Sequence, residues 1–240
     1  KMKKIAVMAV LVLAFSAVFV YAEKPKTTLS IVSEGFTIDG SLADWAAVTP
    51  VVLDSAKMLT HGKTEWAGKE VQSGKVYVAF TEDALYVAAE VKSPKGIANN
   101  NVGKDMWNGN AVEVFVGFDN SDPEREMYTE SDYQLGFNPG KINKEGKVIN
   151  KPEVFCFNME QSVAGSKIKA KKIKGGYIVE AMVPASFFPA WNVASGNEIS
   201  FDISIDDQGS KGAARKLQFT WSGYAESYKN PAGWGTAVLK

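Results

Sequence analysis

The feature that most constrains the fold of this chain is a succession of short segments in which apolar and polar residues alternate. Two of them, residues 76–80 and 85–91, flank Glu82-Asp83-Ala84 and predict a β-hairpin. The others are residues 111–118, 133–138, 154–158, 166–173, 177–183, 198–206 and 215–221. No long segment with the period of an α-helix follows the N-terminal apolar run. The sequence therefore predicts an all-β protein, an antiparallel β-sandwich of jelly-roll type.

The turns and loops between these segments complete this prediction. Lys174-Gly175-Gly176 indicates a tight turn, and Pro184 can begin a single short helical turn over residues 184–188. In the segment 111–118, the four residues Val112, Val114, Val116 and Phe118 share one face and should enter the core. Three polar loops are expected at about 53–74, 119–131 and 138–152, and loops of this length on a rigid sandwich commonly carry binding sites.

The N-terminus resembles an export signal. Lys3 and Lys4 precede an apolar run over residues 5–20, and Val20-Tyr21-Ala22 places small residues where signal peptidase requires them. The run is short for a membrane span, which needs ~20 apolar residues. We therefore expect a signal peptide over residues 1–22, with residues 23–240 forming one exported domain. This domain would be periplasmic or extracellular, without stable membrane insertion once the signal is cleaved.

Charge and cysteine content exclude several classes of protein. The 27 basic and 27 acidic residues balance, so nothing predicts nucleic acid as a partner. The lysines of residues 167–174 alternate with apolar residues, which indicates the solvated face of a strand. Cys156 is the only cysteine, so no internal disulfide can form, and its strand-like surroundings predict a buried side chain.

One loop and the strand after it suggest a function. Trp107 lies in a polar, glycine-containing loop, and Glu113 follows on the less hydrophobic face of the next strand. A sugar is bound by an aromatic plate that stacks on its C–H face and by polar groups that bond its hydroxyls. The pattern predicts a carbohydrate-binding protein.

The order of motifs along the chain resembles the family 9 carbohydrate-binding modules and the wider group of DOMON-like β-sandwiches. The motifs are FTIDGSLADW at residues 36–45, VYVAFTEDALYVAAEV at 76–91, WNGNAVEVFV at 107–116, GGYIVEAMVP at 175–184, ISFDISIDD at 199–207 and FTWS at 219–222. The resemblance covers about residues 29–239. It implies a β-sandwich that binds sugars, often at the ends of plant polysaccharides, between two aromatic side chains.

The resemblance also implies roles for individual residues. Trp107 corresponds to the first stacking aromatic, Glu113 to a carboxylate that contacts the sugar, and Tyr228 to the second aromatic. Structural calcium is common in such modules, and Asp39 and Asp44 are the residues we consider for it, although both also suit turns. No other cofactor is expected.

The sequence departs from the family at three positions of this expected site. Gly136 stands where the family often has a sugar-binding arginine, and Ser204 and Ala225 stand where longer polar side chains are expected. These departures leave open whether sugar binding is retained.

Two alternative functions remain open, and a third is set aside. A haem-binding electron-transfer protein would need axial ligands, for which His61 and Met58 are available. An envelope structural protein without sugar binding would agree with Gly136. Glycoside cleavage needs a pair of carboxylates, and no spacing singles out a pair among Glu90, Glu113 and Asp207. We therefore expect a protein that is not an enzyme.

Overall fold

The computed structural model describes residues 23–143, 145–209 and 214–240. The expected signal peptide at residues 1–22 lies outside these residues. Within them, no helix is both long and apolar enough to cross a membrane.

The described part of the chain is built from β-strands and a few short 3₁₀ turns, with no α-helix. The strands are β1 (Lys26–Ile31), β2 (Val51–Leu53), β3 (Leu59–His61), β4 (Ser73–Phe80), β5 (Ala84–Lys92), β6 (Ala111–Gly117), β7 (Asp132–Asn138), β8 (Lys141–Ile142), β9 (Val148–Asn150), β10 (Glu153–Cys156), β11 (Gln161–Ser162), β12 (Lys167–Ile173), β13 (Gly176–Pro184), β14 (Glu198–Asp207), β15 (Leu217–Thr220) and β16 (Gly235–Leu239). The 3₁₀ turns are Ala56–Met58, Lys63–Glu65, Gly103–Asn108, Ala185–Phe187 and Pro231–Gly233.

The strands form two sheets that share β1. The front sheet has the order β11-β10-β7-β6-β14-β16-β1, with β15 pairing both β14 and β3. The back sheet has the order β1-β4-β5-β13-β12, with β2 paired to β4. The first half of β1 pairs with β16 and its last two residues with β4. The prediction of an all-β sandwich is confirmed, except that β1 runs parallel to both neighbours, whereas the sequence suggested a purely antiparallel arrangement.

The main core lies between the two sheets, and the front sheet is also covered on its outer face. Val112, Val114 and Val116 are buried in this core, as their spacing predicts. The opposite face of β6 is buried as well, because Phe115 packs against Trp234 with their ring centroids 5.5 Å apart. The segments around β15 and β16 therefore cover part of the front sheet, and the binding site described below lies in the part that they leave open.

Two of the expected loops contain structure of their own. Residues 53–74 include β3 and two 3₁₀ turns, and residues 138–152 include the small β8–β9 sheet. Short strands of two or three residues carry too little alternation to be recognised in a sequence, so the prediction of continuous loops there was wrong. β10 ends at Cys156 and β15 spans only Leu217–Thr220, and both are shorter than expected.

The segment from Val32 to Val48 closes the outer face of the back sheet. Trp45 is fully buried there, and Phe36 stacks on it with ring centroids 3.8 Å apart. The buried carboxylate of Glu180 on β13 accepts hydrogen bonds from Trp45 Nε1 (2.7 Å) and from the backbone N–H groups of Asp39 (2.9 Å) and Gly40 (2.8 Å). This one side chain fixes the segment to the sheet.

Candidate functional site

A cavity of about 500 Å³ opens on the outer face of the front sheet. Its walls are formed by side chains from β6, β7 and β15, from the 3₁₀ turn before β6, and from the segments after β10 and β15. The lining residues are Lys104, Trp107, Glu113, Gln134, Phe157, Asn158, Arg215, Gln218, Ala225 and Tyr228. The structure thus brings together Trp107, Glu113 and Tyr228, the three residues that the sequence singled out. Their contact with a ligand stays a prediction.

Trp107 is held in the wall of the cavity by a fixed loop. It lies in the 3₁₀ turn Gly103–Asn108, next to the buried Met106, and its side chain is 40% exposed. The buried Asn99 side chain donates hydrogen bonds to the carbonyl oxygens of Met106 (2.8 Å) and Asn110 (3.0 Å). These bonds fix the C-terminal part of the turn, and the Gly103 N–H fixes its start by donating to Glu153 Oε1 (2.9 Å). The indole is therefore presented to the cavity by a turn held at both ends.

Arg215 packs over the indole of Trp107. Its guanidinium carbon lies 4.8 Å from the ring centroid, within the range of a cation–π contact. Its backbone N–H donates to the side chain of Asn108 (3.1 Å), and its Nη1 donates to Asp206 (3.0 Å). One face of the tryptophan is therefore occupied by a positively charged group of the protein itself.

The floor of the cavity carries buried carboxyl groups. Glu113 is 2% exposed and accepts a hydrogen bond from Gln134 Nε2 (2.7 Å). Behind Arg215, Asp206 Oδ1 accepts from Arg215 and from Gln218 Nε2 (3.0 Å). Burial, and then the neighbouring carboxyl of Glu113, raise the pKa of Asp206 well above its ordinary value. The two carboxyl groups lie close together, and their repulsion opposes the ionisation of Asp206.

Tyr228 lies on the segment between β15 and β16, opposite the sheet. It is 55% exposed, while the preceding Ser227 is buried and anchors the segment. Ser227 Oγ donates to Asp202 (2.8 Å), and the Ser227 carbonyl oxygen accepts from Trp234 Nε1 (2.9 Å) and from the Tyr128 hydroxyl (3.0 Å). The exposed ring is therefore held at its base by buried hydrogen bonds.

Asp202 couples the anchoring of this segment to pH. Burial raises the pKa of Asp202 from 3.8 to about 6, although Ser222 and Ser227 donate hydrogen bonds to it. The folded protein therefore binds this proton more tightly than the unfolded chain does. Its contribution to the free energy of unfolding is complete below about pH 4 and is lost as the pH rises through about 6.

We expect Asp202→Asn to remove this pH dependence. The free energy of unfolding of the parent chain minus that of the variant should be larger at pH 4 than at pH 7. Between these pH values this difference should change by a few kcal/mol at most. Urea unfolding of both proteins across this range measures it. A difference that stays constant with pH would show that folding does not raise the pKa of Asp202.

The structure gives a physical reason for glycine at position 136. A Cβ atom there would lie 2.6 Å from Met106 Sδ and 2.7 Å from Phe157 Cε2. The half-buried ring of Phe157 thus lies against the strand at this point and lines the cavity. This chain has an aromatic ring beside the backbone where the family resemblance implied an arginine side chain.

We expect Gly136→Ala to destabilise the protein and to disturb the cavity. The added methyl group overlaps Phe157 and Met106, and overpacking of this kind costs ~1–3 kcal/mol. A thermal melt should show the loss of stability, and Gly136→Arg should lower the melting temperature further rather than restore a family contact. An unchanged melting temperature for Gly136→Ala would mean that Phe157 moves aside freely.

Sequence reasoning missed most of the polar lining of the cavity. Arg215, Gln134 and Gln218 belong to separate segments, and only their position on one face of the front sheet brings them together. The alternation within β7 places Gln134 on the same face as Gly136, and that was the one available signal. Phe157 and Lys104 lie outside strands, where no periodicity identifies a side chain's direction.

The two aspartates considered for calcium have other contacts. Asp39 Oδ1 accepts the backbone N–H of Ser41 (2.8 Å), and Asp44 Oδ2 accepts that of Thr37 (3.0 Å). In the part of the chain that the structure describes, no three His, Cys, Asp or Glu side chains are grouped as metal ligands. The two carboxylates therefore fit the turn role that the sequence also allowed, and their role in binding calcium stays a prediction.

Several other residues with reactive or aromatic side chains do not line the cavity. Cys156 is buried, as expected, and burial raises the pKa of its thiol to about 11, so it is not a reactive thiolate. Trp234 is buried against the front sheet, and Trp66 packs partly on the core. His61 is exposed on β3, and Met58 packs partly on the core.

Sequence comparison identifies the family. The model of the carbohydrate family 9 binding domain-like family matches residues 38–240. The chain belongs to this family. The family that the motifs resembled is confirmed, and so is the prediction of a carbohydrate-binding domain.

Known xylanases contain related segments. The chain is 28% identical over 205 residues to endo-1,4-beta-xylanase A of Thermotoga neapolitana, covering 84% of this chain and 17% of that enzyme. It is also 28% identical over 184 residues to endo-1,4-beta-xylanase C of Paenibacillus barcinonensis, covering 72% of this chain and 14% of that enzyme. This chain therefore spans less than a fifth of the length of these curated relatives.

Solved structures of family 9 modules share the fold. A module from Caldicellulosiruptor kristjanssonii in complex with cellotriose superimposes with a TM-score of 0.66 at 19% identity, covering 90% of this chain and 94% of that one. The same comparison with a module from this organism in complex with glucose gives a TM-score of 0.63 at 18% identity, covering 89% and 96%. At this level of identity the likeness establishes the β-sandwich.

Proposed function

We propose that the cavity on the front sheet binds the sugar residues of a plant cell-wall polysaccharide. The observation that carries the proposal is the convergence of two exposed aromatic side chains, Trp107 and Tyr228, with the buried carboxyl group of Glu113 on one cavity. Modules of the same fold have been seen with cellotriose and with glucose, and the related segments belong to xylanases. A β-linked oligosaccharide of pyranose sugars is the ligand class we infer.

The walls of the cavity match the two kinds of surface that a sugar presents. The rings of Trp107, Tyr228 and Phe157 offer apolar surface to the C–H faces of a pyranose, at ~1 kcal/mol per stacked ring. Gln134, Asn158 and Gln218 offer side-chain amides to its hydroxyl groups. Two stacked rings with a few hydrogen bonds correspond to micromolar to millimolar dissociation constants, ~4–8 kcal/mol of binding free energy.

We propose that binding takes place without catalysis. Glycoside hydrolysis generally uses two carboxyl groups on either side of the scissile bond. Of the described residues that line the cavity, only Glu113 carries a carboxyl group, and it is bonded to Gln134. Asp206 lies behind Arg215 rather than across the cavity. The function inferred is to hold a polysaccharide chain, and the xylanase activity is assigned to the relatives alone.

A glycan array followed by calorimetry with cellotriose and xylotriose tests the proposed function. We expect at least one of these oligosaccharides to bind with a dissociation constant in the micromolar to millimolar range. No cleavage products of the bound oligosaccharide should be detectable. Absence of binding to every neutral and acidic glycan by a folded protein would contradict the proposal and favour an envelope structural role.

Export and calcium binding are further proposals that rest on the sequence. The apolar N-terminal run and the relation to xylanases, which act on extracellular polymers, support an exported module. A structural calcium ion is supported only by the family resemblance. Thermal melts after chelation test it, since a fall in the melting temperature that calcium reverses would support a site, and no change would contradict it.

A further inference from the structure

We propose that Arg215 and Lys104 make this cavity selective for sugars that carry a carboxylate, so that its preferred ligand is a uronic acid residue of an acidic polysaccharide. This inference rests on the proposed function, because it names the class of sugar that the same cavity takes.

The first argument is the position of Arg215. Its side chain is 20% exposed, it lines the cavity, and it covers one face of Trp107. A neutral sugar gains little from a guanidinium placed on its stacking plate, since that group competes for the apolar face of the indole. A sugar with a carboxylate gains a charge-assisted contact at the edge of the plate while its ring uses the remaining aromatic surface.

The second argument is the number of donors that Arg215 retains. A guanidinium has five N–H groups in a planar fork that matches a carboxylate. Among the described residues, Asp206 is the only side chain that accepts a hydrogen bond from this guanidinium, and it does so from Nη1. The contacts of Asp206 and of the indole hold the side chain in place, so the remaining donors are oriented before a ligand arrives. Such preorganisation lowers the entropy lost on binding.

The third argument is the balance of charge around the cavity. The described lining residues include two cations, Lys104 and Arg215, and one carboxyl group, that of Glu113. Asp206 does not restore the balance at the surface of the cavity, because it is fully buried behind Arg215 and does not line the cavity. The groups that a ligand would meet therefore include one more cationic side chain than carboxyl groups.

The fourth argument concerns Lys104, which lies one helical turn before Trp107 at the exposed side of the cavity. It is exposed, and no ion-pair partner for it is found within the described residues. An ammonium group at the entrance attracts an anionic ligand and adds a second charge contact to it. The buried carboxyl group of Glu113 is left to accept a hydrogen bond from a sugar hydroxyl deeper in the cavity.

A comparison of glucose with glucuronic acid tests this selectivity, because the two differ only in the group at C6. We measure both dissociation constants with the whole chain at pH 7 by NMR titration, which detects millimolar binding. We expect glucuronic acid to bind about tenfold tighter or more at low salt, the effect of one charge-assisted contact. Raising the salt to about 0.5 M should weaken glucuronic acid and leave glucose unchanged.

Three variants assign the effect to the residues. Arg215→Gln should weaken glucuronic acid about tenfold and glucose by less than about threefold, and Lys104→Gln should have a smaller effect in the same direction. Lys172→Gln is the matched control, since it removes one exposed lysine from β12, on the back sheet, and should change neither constant. If Arg215→Gln does not fold, Arg215→Lys keeps the charge, and the comparison on the parent chain stands without any variant.

The possible outcomes separate this inference from the function on which it rests. Equal affinity for the two sugars, or tighter binding of glucose, overturns the selectivity and leaves sugar binding in place. The inference is also overturned if glucuronic acid binds preferentially and neither Arg215→Gln nor Arg215→Lys changes this preference. If neither sugar nor cellotriose binds to the folded chain, both proposals fail.

Discussion

Trp107→Ala is expected to abolish measurable oligosaccharide binding while the protein stays folded. The substitution removes the exposed indole that forms one wall of the cavity, and it also removes the surface on which Arg215 rests. Losing a stacked ring and freeing a preorganised guanidinium should weaken binding by at least ~2 kcal/mol, more than tenfold. Calorimetry with the best ligand from the glycan array measures the loss.

Stability should change little in this variant, because the loop does not depend on the indole. Asn99 and the buried Met106 hold the 3₁₀ turn from the other side. Val102→Ala is the matched control, since Val102 is an exposed apolar residue beside the same turn and does not line the cavity. It should bind as the parent chain does. Full binding by Trp107→Ala would place the sugar elsewhere on the molecule.

Glu180→Ala should have the largest effect on stability. This fully buried carboxylate accepts three hydrogen bonds, from Trp45 Nε1 and from two backbone N–H groups at Asp39 and Gly40. Its removal leaves Trp45 Nε1 and the Gly40 N–H without an acceptor. The Asp39 N–H keeps only the carbonyl oxygen of Thr37 (3.0 Å), and a hole opens beneath Trp45. We expect a loss of ~3 kcal/mol or more in the free energy of unfolding, measured by urea denaturation.

Two companion variants show whether the hydrogen bonds are the cause. Glu180→Gln keeps one acceptor oxygen and should lose less stability than Glu180→Ala. Glu90→Ala changes a half-exposed glutamate on the adjacent β5 and should fall within ~0.5 kcal/mol of the parent chain. Below its melting temperature, the Glu180→Ala variant should still bind sugar, because residue 180 lies on the back sheet and the cavity lies on the front sheet. Equal losses in the Glu90 and Glu180 variants would contradict this account.

The long strands could be predicted because their apolar and polar residues alternate. β6, β7, β13 and β14 each span seven residues or more, so their spacing identified both the element and its core-facing side chains. β3, β8 and β9 could not be found in this way. Strands of two or three residues are stabilised by their partners rather than by a pattern of their own.

The candidate site shows the same division. Trp107 was recognised because a tryptophan in a polar loop is chemically conspicuous, and Glu113 because it interrupts an apolar strand. Arg215 lies more than a hundred residues from Trp107 in the chain, and nothing in either segment indicates that they stack. For Gly136, the sequence showed only that an arginine is absent, whereas the structure shows the ring of Phe157 beside that position.

The sequence alone determined that this protein is a β-sandwich of the family 9 type with a tryptophan in a polar loop ahead of a glutamate on the next strand. Those properties are local, because alternation, turn residues and motif order are written along the chain. Only the tertiary structure decided how the cavity is charged and what its walls are made of. Pairing of β6 with β7 and β14, and of β14 with β15, brings Gln134, Asp206 and Gln218 beside Glu113. Such contacts follow from sheet register and packing across long separations, which no local pattern encodes.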